Sequence, residues 1–184
     1  MDLVISGSEA SATERAAIDD VLGPPGSIWE GASPDGNGRV ARDGHIARGG
    51  HAAREQRHLL LPVLHAVHAR VGWISPGALN YVCRRLTIPP AEAHGVASFY
   101  ALFSLTPQAP VVAHVCTDIA CLAAGSESLC AQMRERLGPP GAHDADAEAG
   151  WLESPCLGMC ERAPAALVAI TGEDARELTV PEAT

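Results

Sequence analysis

Four of the six cysteines fall into two close pairs, Cys116-Thr-Asp-Ile-Ala-Cys121 and Cys156-Leu-Gly-Met-Cys160, and no other feature constrains the chain so tightly. Each pair follows an apolar run that reads as a β-strand, Val111 to Val115 before the first and Trp151-Leu152 before the second. Loops leaving neighbouring strands at one sheet edge can bring two such pairs to one place. A two-iron cluster needs four soft anionic donors, and Cys116, Cys121, Cys156 and Cys160 supply them as two thiolates for each iron. The four-residue gap lets the first loop bulge around the group, and Gly158 can take a backbone conformation closed to other residues. Pro155 has no N–H to donate.

Other readings of the same cysteines stay open. Zinc takes four thiolates too, although its structural knuckles favour shorter, symmetric gaps. A dithiol redox site needs C-x-x-C, which is absent. Unrelated buried cysteines are a further reading, because Cys is commonly buried. A Rieske site is excluded, since neither Cys116 nor Cys156 has a His two residues on.

With 184 residues the chain has room for one ordinary domain, or for two small ones and a flexible end. Hydrophobic residues make up 47% and aromatic ones only 4%, so a core must come from Ala, Leu and Val, with few rings for stacking bases or sugars. A formal net charge of -9 opposes phosphate binding, so no nucleic acid partner is expected. No apolar run reaches the roughly 20 residues of a membrane span. Met1 to Ala10 lacks a basic region followed by an apolar stretch, so the expectation is a cytoplasmic protein with reduced thiols.

Along the chain, residues 1–50 read as a flexible leader with one short helix near Ala12 to Leu22. Gly23-Pro24-Pro25-Gly26 breaks the chain, and Gly31 to Gly50 has no apolar period. Residues 51–106 read as a small helical bundle. Leu60, Val63, Leu64, Val67 and Val71 form one stripe, with Pro62 needing an early-turn position. A second helix starts at Ser75-Pro76 and buries Leu79, Val82, Cys83 and Leu86. A third starts at Pro89-Pro90-Ala91-Glu92 and runs into Val96, Phe99, Tyr100 and Phe103; the run Ser98 to Phe103 is expected mainly in the bundle core, with a partner-contact face as the alternative and room for both on opposite faces. Residues 107–184 alternate strand and helix: Val111 to Val115, a helix over Ser126 to Leu137, a surface loop at 144–149, then strands at Trp151-Leu152 and Ala165 to Ile170. The expected class is α+β, a helical bundle followed by a thioredoxin-like α/β domain.

The cysteine pattern resembles that of the thioredoxin-like 2Fe-2S subunit family of respiratory complex I, NAD-reducing hydrogenases and NAD-dependent formate dehydrogenases. The similarity extends to Leu60-Leu61-Pro62-Val63-Leu64-His65-Ala66-Val67, Pro89-Pro90-Ala91-Glu92, Gly95-Val96-Ala97-Ser98-Phe99-Tyr100 and Cys160-Glu161-Arg162-Ala163-Pro164. The resemblance implies that Cys116, Cys121, Cys156 and Cys160 ligate one 2Fe-2S cluster and that the bundle packs on a flavin-bearing subunit. FMN and NAD then sit on that partner, within a larger oxidoreductase complex, and this chain carries electrons without catalysing a reaction itself. In the family a strand pair and a helix follow the last cluster loop. Only Leu178-Thr179-Val180-Pro181 is left here, which implies a domain trimmed or completed by a partner.

Two rival classes accompany that expectation: a stand-alone ferredoxin shuttle, for which the helical half is surplus, and a structural zinc module. Cys83 and Cys130 read as core cysteines, and His65 and His68 as a solvated helix face rather than ligands. Gly36-Asn37-Gly38 is a turn, not a dinucleotide fingerprint. An acidic protein around a thiolate-bound cluster predicts a low reduction potential, tuned by amides of Thr117 to Ala120 and Leu157 to Met159.

Overall fold

The computed structural model describes residues 7–25, 55–141 and 147–184. The aperiodic stretch 31–50, with its Gly36-Asn37-Gly38 turn, and residues 144–146 of the expected loop lie outside them. The chain divides into two compact units, one running to Arg70 and resuming over Ile74–Leu105, the other made of Val71–Trp73 and Thr106–Thr184.

The first unit is helical. Helix α1, Ala12–Leu22, begins where Ser11 and Glu14 form a capping box: the Glu14 amide donates to Ser11 Oγ at 3.2 Å and the Ser11 amide to Glu14 Oε2 at 2.7 Å. A 3-10 turn at Arg57–Leu59 leads into α2, Leu60–Val71, with Pro62 in the first turn, where its missing N–H costs no helical bond. Its buried stripe is Leu60, Val63, Leu64 and Val67. Helix α3, Pro76–Leu86, is capped by Ser75, whose Oγ accepts from the Ala78 amide at 3.0 Å, and buries Leu79, Val82, Cys83 and Leu86.

Helix α4, Pro90–Phe99, departs from expectation, because its buried residues are Ala93 and Ala97. Small side chains allow α4 to approach α3 closely, which leaves the aromatic residues no room beneath. Phe99 is 80% exposed and Tyr100 44%, while Phe103 packs partly against the core. His65 is not merely solvated: its ring lies edge-on to Phe103, with centroids 4.7 Å apart.

Helix α1 is fastened to α3 through buried polar groups. The Arg85 guanidinium pairs with Asp19 and donates to the Gly23 carbonyl at 2.7 Å, and Tyr81 Oη donates to Asp19 at 3.0 Å. Gly77 lets the segment before α1 cross α3, since a Cβ there would lie 2.2 Å from the Glu9 carbonyl oxygen.

The second unit is a mixed four-stranded sheet with helices, in the order β2-β1-β3-β4. Its elements are β1 (Val111–Cys116), α5 (Ile119–Ala123), α6 (Ser126–Leu137), β2 (Ala149–Ser154), a 3-10 turn (Cys160–Arg162), β3 (Ala166–Ile170) and β4 (Arg176–Val180). β1 pairs parallel with β2, from Val111 opposite Ala149 to Cys116 opposite Ser154, and antiparallel with β3. On one face Val115, Trp151 and Ala166 pack with Cys130, Leu129 and Met133 of α6.

The expectation of a trimmed domain is corrected for the strand pair, while among the described residues no helix follows it. β4 pairs antiparallel with β3, with Leu178 opposite Val168, so the strand pair after the last cysteine loop is present in the chain itself. Its residues are all exposed, so backbone pairing rather than burial holds the strand. Among the described residues no helix is long and apolar enough to cross a membrane.

Candidate metal centre

The parallel strands β1 and β2 end side by side, and both cysteine pairs begin there. Cys116 is the last residue of β1, Ser154 opposite it is the last of β2, and Cys156 follows two residues on. The end of β1 is bonded on both sides: the Cys116 amide donates to the Ala165 carbonyl and the Thr117 amide to the Ser154 carbonyl, each at 3.0 Å.

Asp118 then starts α5 by accepting from the Ile119 amide at 2.7 Å, and that short helix carries Cys121 inward. α5 packs against the turn that begins at Cys160. Cys116 and Cys121 are buried with Ala165, and Leu157, Met159 and Ala163 pack around them. Cys156 and Cys160 are exposed, with their sulfurs 3.3 Å apart.

The electrostatics tie the pairs together. Burial pushes the Cys121 thiol up, reinforced by its hydrogen bond with Cys116 and by the charges of Cys116 and Cys160. The Cys160 thiol is raised chiefly by its hydrogen bond with Cys156 and by the Cys156 charge, with smaller contributions that include Cys116 and Asp118. Each pair therefore feels the other, through Cys121 and Cys160, whose thiols resist ionising. Four thiolates this close would need a cationic centre among them, a charge that iron could supply. Among the described residues no three His, Cys, Asp or Glu side chains surround one point fit for a single metal ion. The donors stand instead as two pairs, and a two-iron cluster takes two thiolates at each iron.

Gly158 has a φ of 77°, the left-handed conformation expected of it, and its amide donates to Cys156 Sγ at 3.4 Å. The other expected amide donors are partly committed elsewhere: Thr117 N–H to the Ser154 carbonyl and Ile119 N–H to Asp118. Cys83 and Cys130 belong to hydrophobic clusters other than that of Cys116 and Cys121. Sequence reasoning overlooked the Asp118 cap, α5 and Ser154. The Thr-Asp-Ile-Ala order carried the cap signal, but five residues are too few to show a helical period.

A sheet of this order, with thiol pairs at the ends of its two parallel strands, defines a thioredoxin-like iron–sulfur domain. The family model described as thioredoxin-like [2Fe-2S] ferredoxin matches residues 46–181. The chain belongs to that family, whose cofactor is a 2Fe-2S cluster. It is 34% identical over 110 residues to NADH-quinone oxidoreductase subunit 2 of Thermus thermophilus, covering 59% of this chain and 61% of that one. With an NADH-quinone oxidoreductase subunit of Mycobacterium tuberculosis it shares 30% over 133 residues, covering 67% of this chain and 52% of the relative. Among solved structures, an NAD+-reducing [NiFe]-hydrogenase in the air-oxidized state matches with a TM-score of 0.51 and 31% identity, over 60% of this chain and 19% of that one. The chain thus spans between half and about three fifths of these curated relatives' length.

Proposed function

We propose that Cys116, Cys121, Cys156 and Cys160 hold one 2Fe-2S cluster, and that the chain exchanges single electrons with a flavin-containing, NAD(H)-linked partner subunit in a larger oxidoreductase complex. The observation that carries this reading is the meeting of two thiol pairs at the ends of β1 and β2, close enough for Cys121 to feel Cys160 and Cys160 to feel Cys116. When bound, the cluster supplies a one-electron donor and acceptor, which divides a two-electron hydride transfer into single steps.

The chain's own residues set the conditions. Cys116 and Cys121 lie in an apolar pocket with Leu157, Met159 and Ala163, which excludes water from the inner side. Cys156 and Cys160 are exposed, so a partner approaches from their side, where Ile119 also stands 81% exposed. Gly158 N–H stabilises charge on Cys156, while Asp118 near Cys160 opposes added charge. Together with the net charge of -9, that balance favours a low potential near the nicotinamide couple.

A complex rather than a free shuttle is supported by the helical unit, which a shuttle does not need, and by its exposed Phe99 and Tyr100. The names of the relatives point the same way, to NADH-quinone oxidoreductase subunits and an NAD+-reducing hydrogenase. The test is anaerobic purification of a tagged copy. Two irons and two acid-labile sulfides per chain, an EPR signal on reduction and a copurifying flavoprotein at fixed stoichiometry are expected. Zinc without sulfide would end the cluster assignment, and a cluster-bearing chain that copurifies with nothing would favour the shuttle.

A further inference from the structure

Ser154 sits beside the sulfur site with a hydroxyl that bonds to nothing. The residue is only 3% exposed, and among the described residues its Oγ is one of the buried side-chain polar atoms without a hydrogen-bond partner. An orphan hydroxyl out of reach of water is costly, so its position asks for a partner that arrives later.

Its direction follows from strand alternation. Trp151 packs on α6, and Glu153 pairs with Arg134 of α6 at 3.6 Å, so both point to that face of β2. Ser154 therefore points to the other. On β1, Val115 packs on the α6 face, which places Cys116 opposite, on the face that Ser154 shares. Cys116 and Ser154 are also direct partners across the parallel pair, and neighbouring strands lie only about 4.8 Å apart. The Ser154 backbone is immobilised, because its carbonyl accepts from both the amide and, at 3.4 Å, the hydroxyl of Thr117. The hydroxyl can rotate, but the residue cannot withdraw.

We propose that the Ser154 hydroxyl is a hydrogen-bond donor to the sulfurs at the Cys116 side of the cluster, and that it raises the reduction potential. This rests on the cluster reading above. A donor aimed at sulfur stabilises the extra negative charge of the reduced form more than the oxidised form, so it favours electron uptake. It counteracts the acidic surroundings on the buried side, where Gly158 N–H does so for Cys156 on the exposed side.

The experiment is a redox titration of the purified, cluster-loaded full chain, followed by EPR, for Ser154→Ala, Ser154→Thr and Ser154→Val. Thr and Val have the same shape, so their comparison separates the hydroxyl from packing. Ser154→Thr should titrate near the unaltered protein. Ser154→Ala and Ser154→Val should shift down, leaving on the order of several-fold fewer clusters reduced at a fixed potential, as loss of one charge-assisted hydrogen bond implies. Their Fe–S stretching bands in resonance Raman should also lose part of their shift in deuterated water. Loss of iron from the Ala and Val forms with retention by the Thr form supports the same contact. Equal potentials in all four loaded proteins would overturn it, as would equal loss of iron from all three variants. Those results leave the cluster itself standing, whereas unaltered protein without iron or sulfide removes both readings.

Discussion

Serine in place of a ligating cysteine exchanges a soft sulfur for a harder oxygen, so Cys116→Ser, Cys121→Ser, Cys156→Ser and Cys160→Ser should each lose most of the cluster's visible absorption and iron. Cys83→Ser and Cys130→Ser should keep both and cost about 1–3 kcal/mol for a buried hydroxyl. Bleaching in either of the last two would transfer the ligand role. Cys83 has a signature of its own. Burial, with a smaller push from the Glu92 charge, raises its thiol from 9.0 to about 11. The unfolded chain gives up that proton near pH 9 and the native chain keeps it, so the native state binds more protons and stability falls between pH 9 and about 11. The loss should reach about 2–3 kcal/mol. Urea melts at rising pH should show it, and Cys83→Ala should flatten the decline. At this scale the sequence was most informative, because cysteine spacing and the conformation of Gly158 are local properties. Ser154 was not legible, since its importance comes from register with Cys116 across two strands.

Elements were legible where burial imposes a period. The stripes of α2 and α3 and the apolar strand β1 declared themselves in this way. The face of α4 did not, because its core is filled by the small residues Ala93 and Ala97 rather than by its large side chains. β4 was hidden for the opposite reason: an exposed edge strand held by backbone bonds has no alternation to read. Helix α1 was placed correctly, but the contacts that dock it on α3 were not visible in sequence. The Arg85 side chain is only 4% exposed, so Asp19→Asn leaves its charge without a carboxylate. We expect a loss of about 2–4 kcal/mol, below the full cost of a broken buried pair because Asp19 itself is partly exposed. Gly77→Ala drives a Cβ into the Glu9 backbone, which cannot yield as a flexible side chain would. It should cost about 1–3 kcal/mol. Both variants should make the segment around α1 susceptible to limited proteolysis, and wild-type resistance in both would show that α1 is not held by these contacts.

The two units draw on unequal resources. The helical unit has a continuous core from Ala10 and Ile18 through Val63, Leu64, Val67, Val82 and Leu86 to Ala97. The sheet unit has smaller clusters, one around Val115, Trp151 and Ala166 and another whose buried members include Cys116 and Cys121. Part of its interior is thus the proposed metal site, where bound iron would offset the burial that raises the Cys121 thiol. Binding to the native state alone stabilises it, so the cluster should stabilise the sheet unit in particular. Anaerobic stripping of the iron should therefore lower the melting transition seen by Trp151 fluorescence, isolated by Trp29→Phe and Trp73→Phe. The helical signal at 222 nm should retain a later component, carried by α2, α3 and α4. Loaded protein should bring the two transitions closer together. If both probes melt together with and without iron, the units share one cooperative transition, and the metal site has no separate part in holding the sheet.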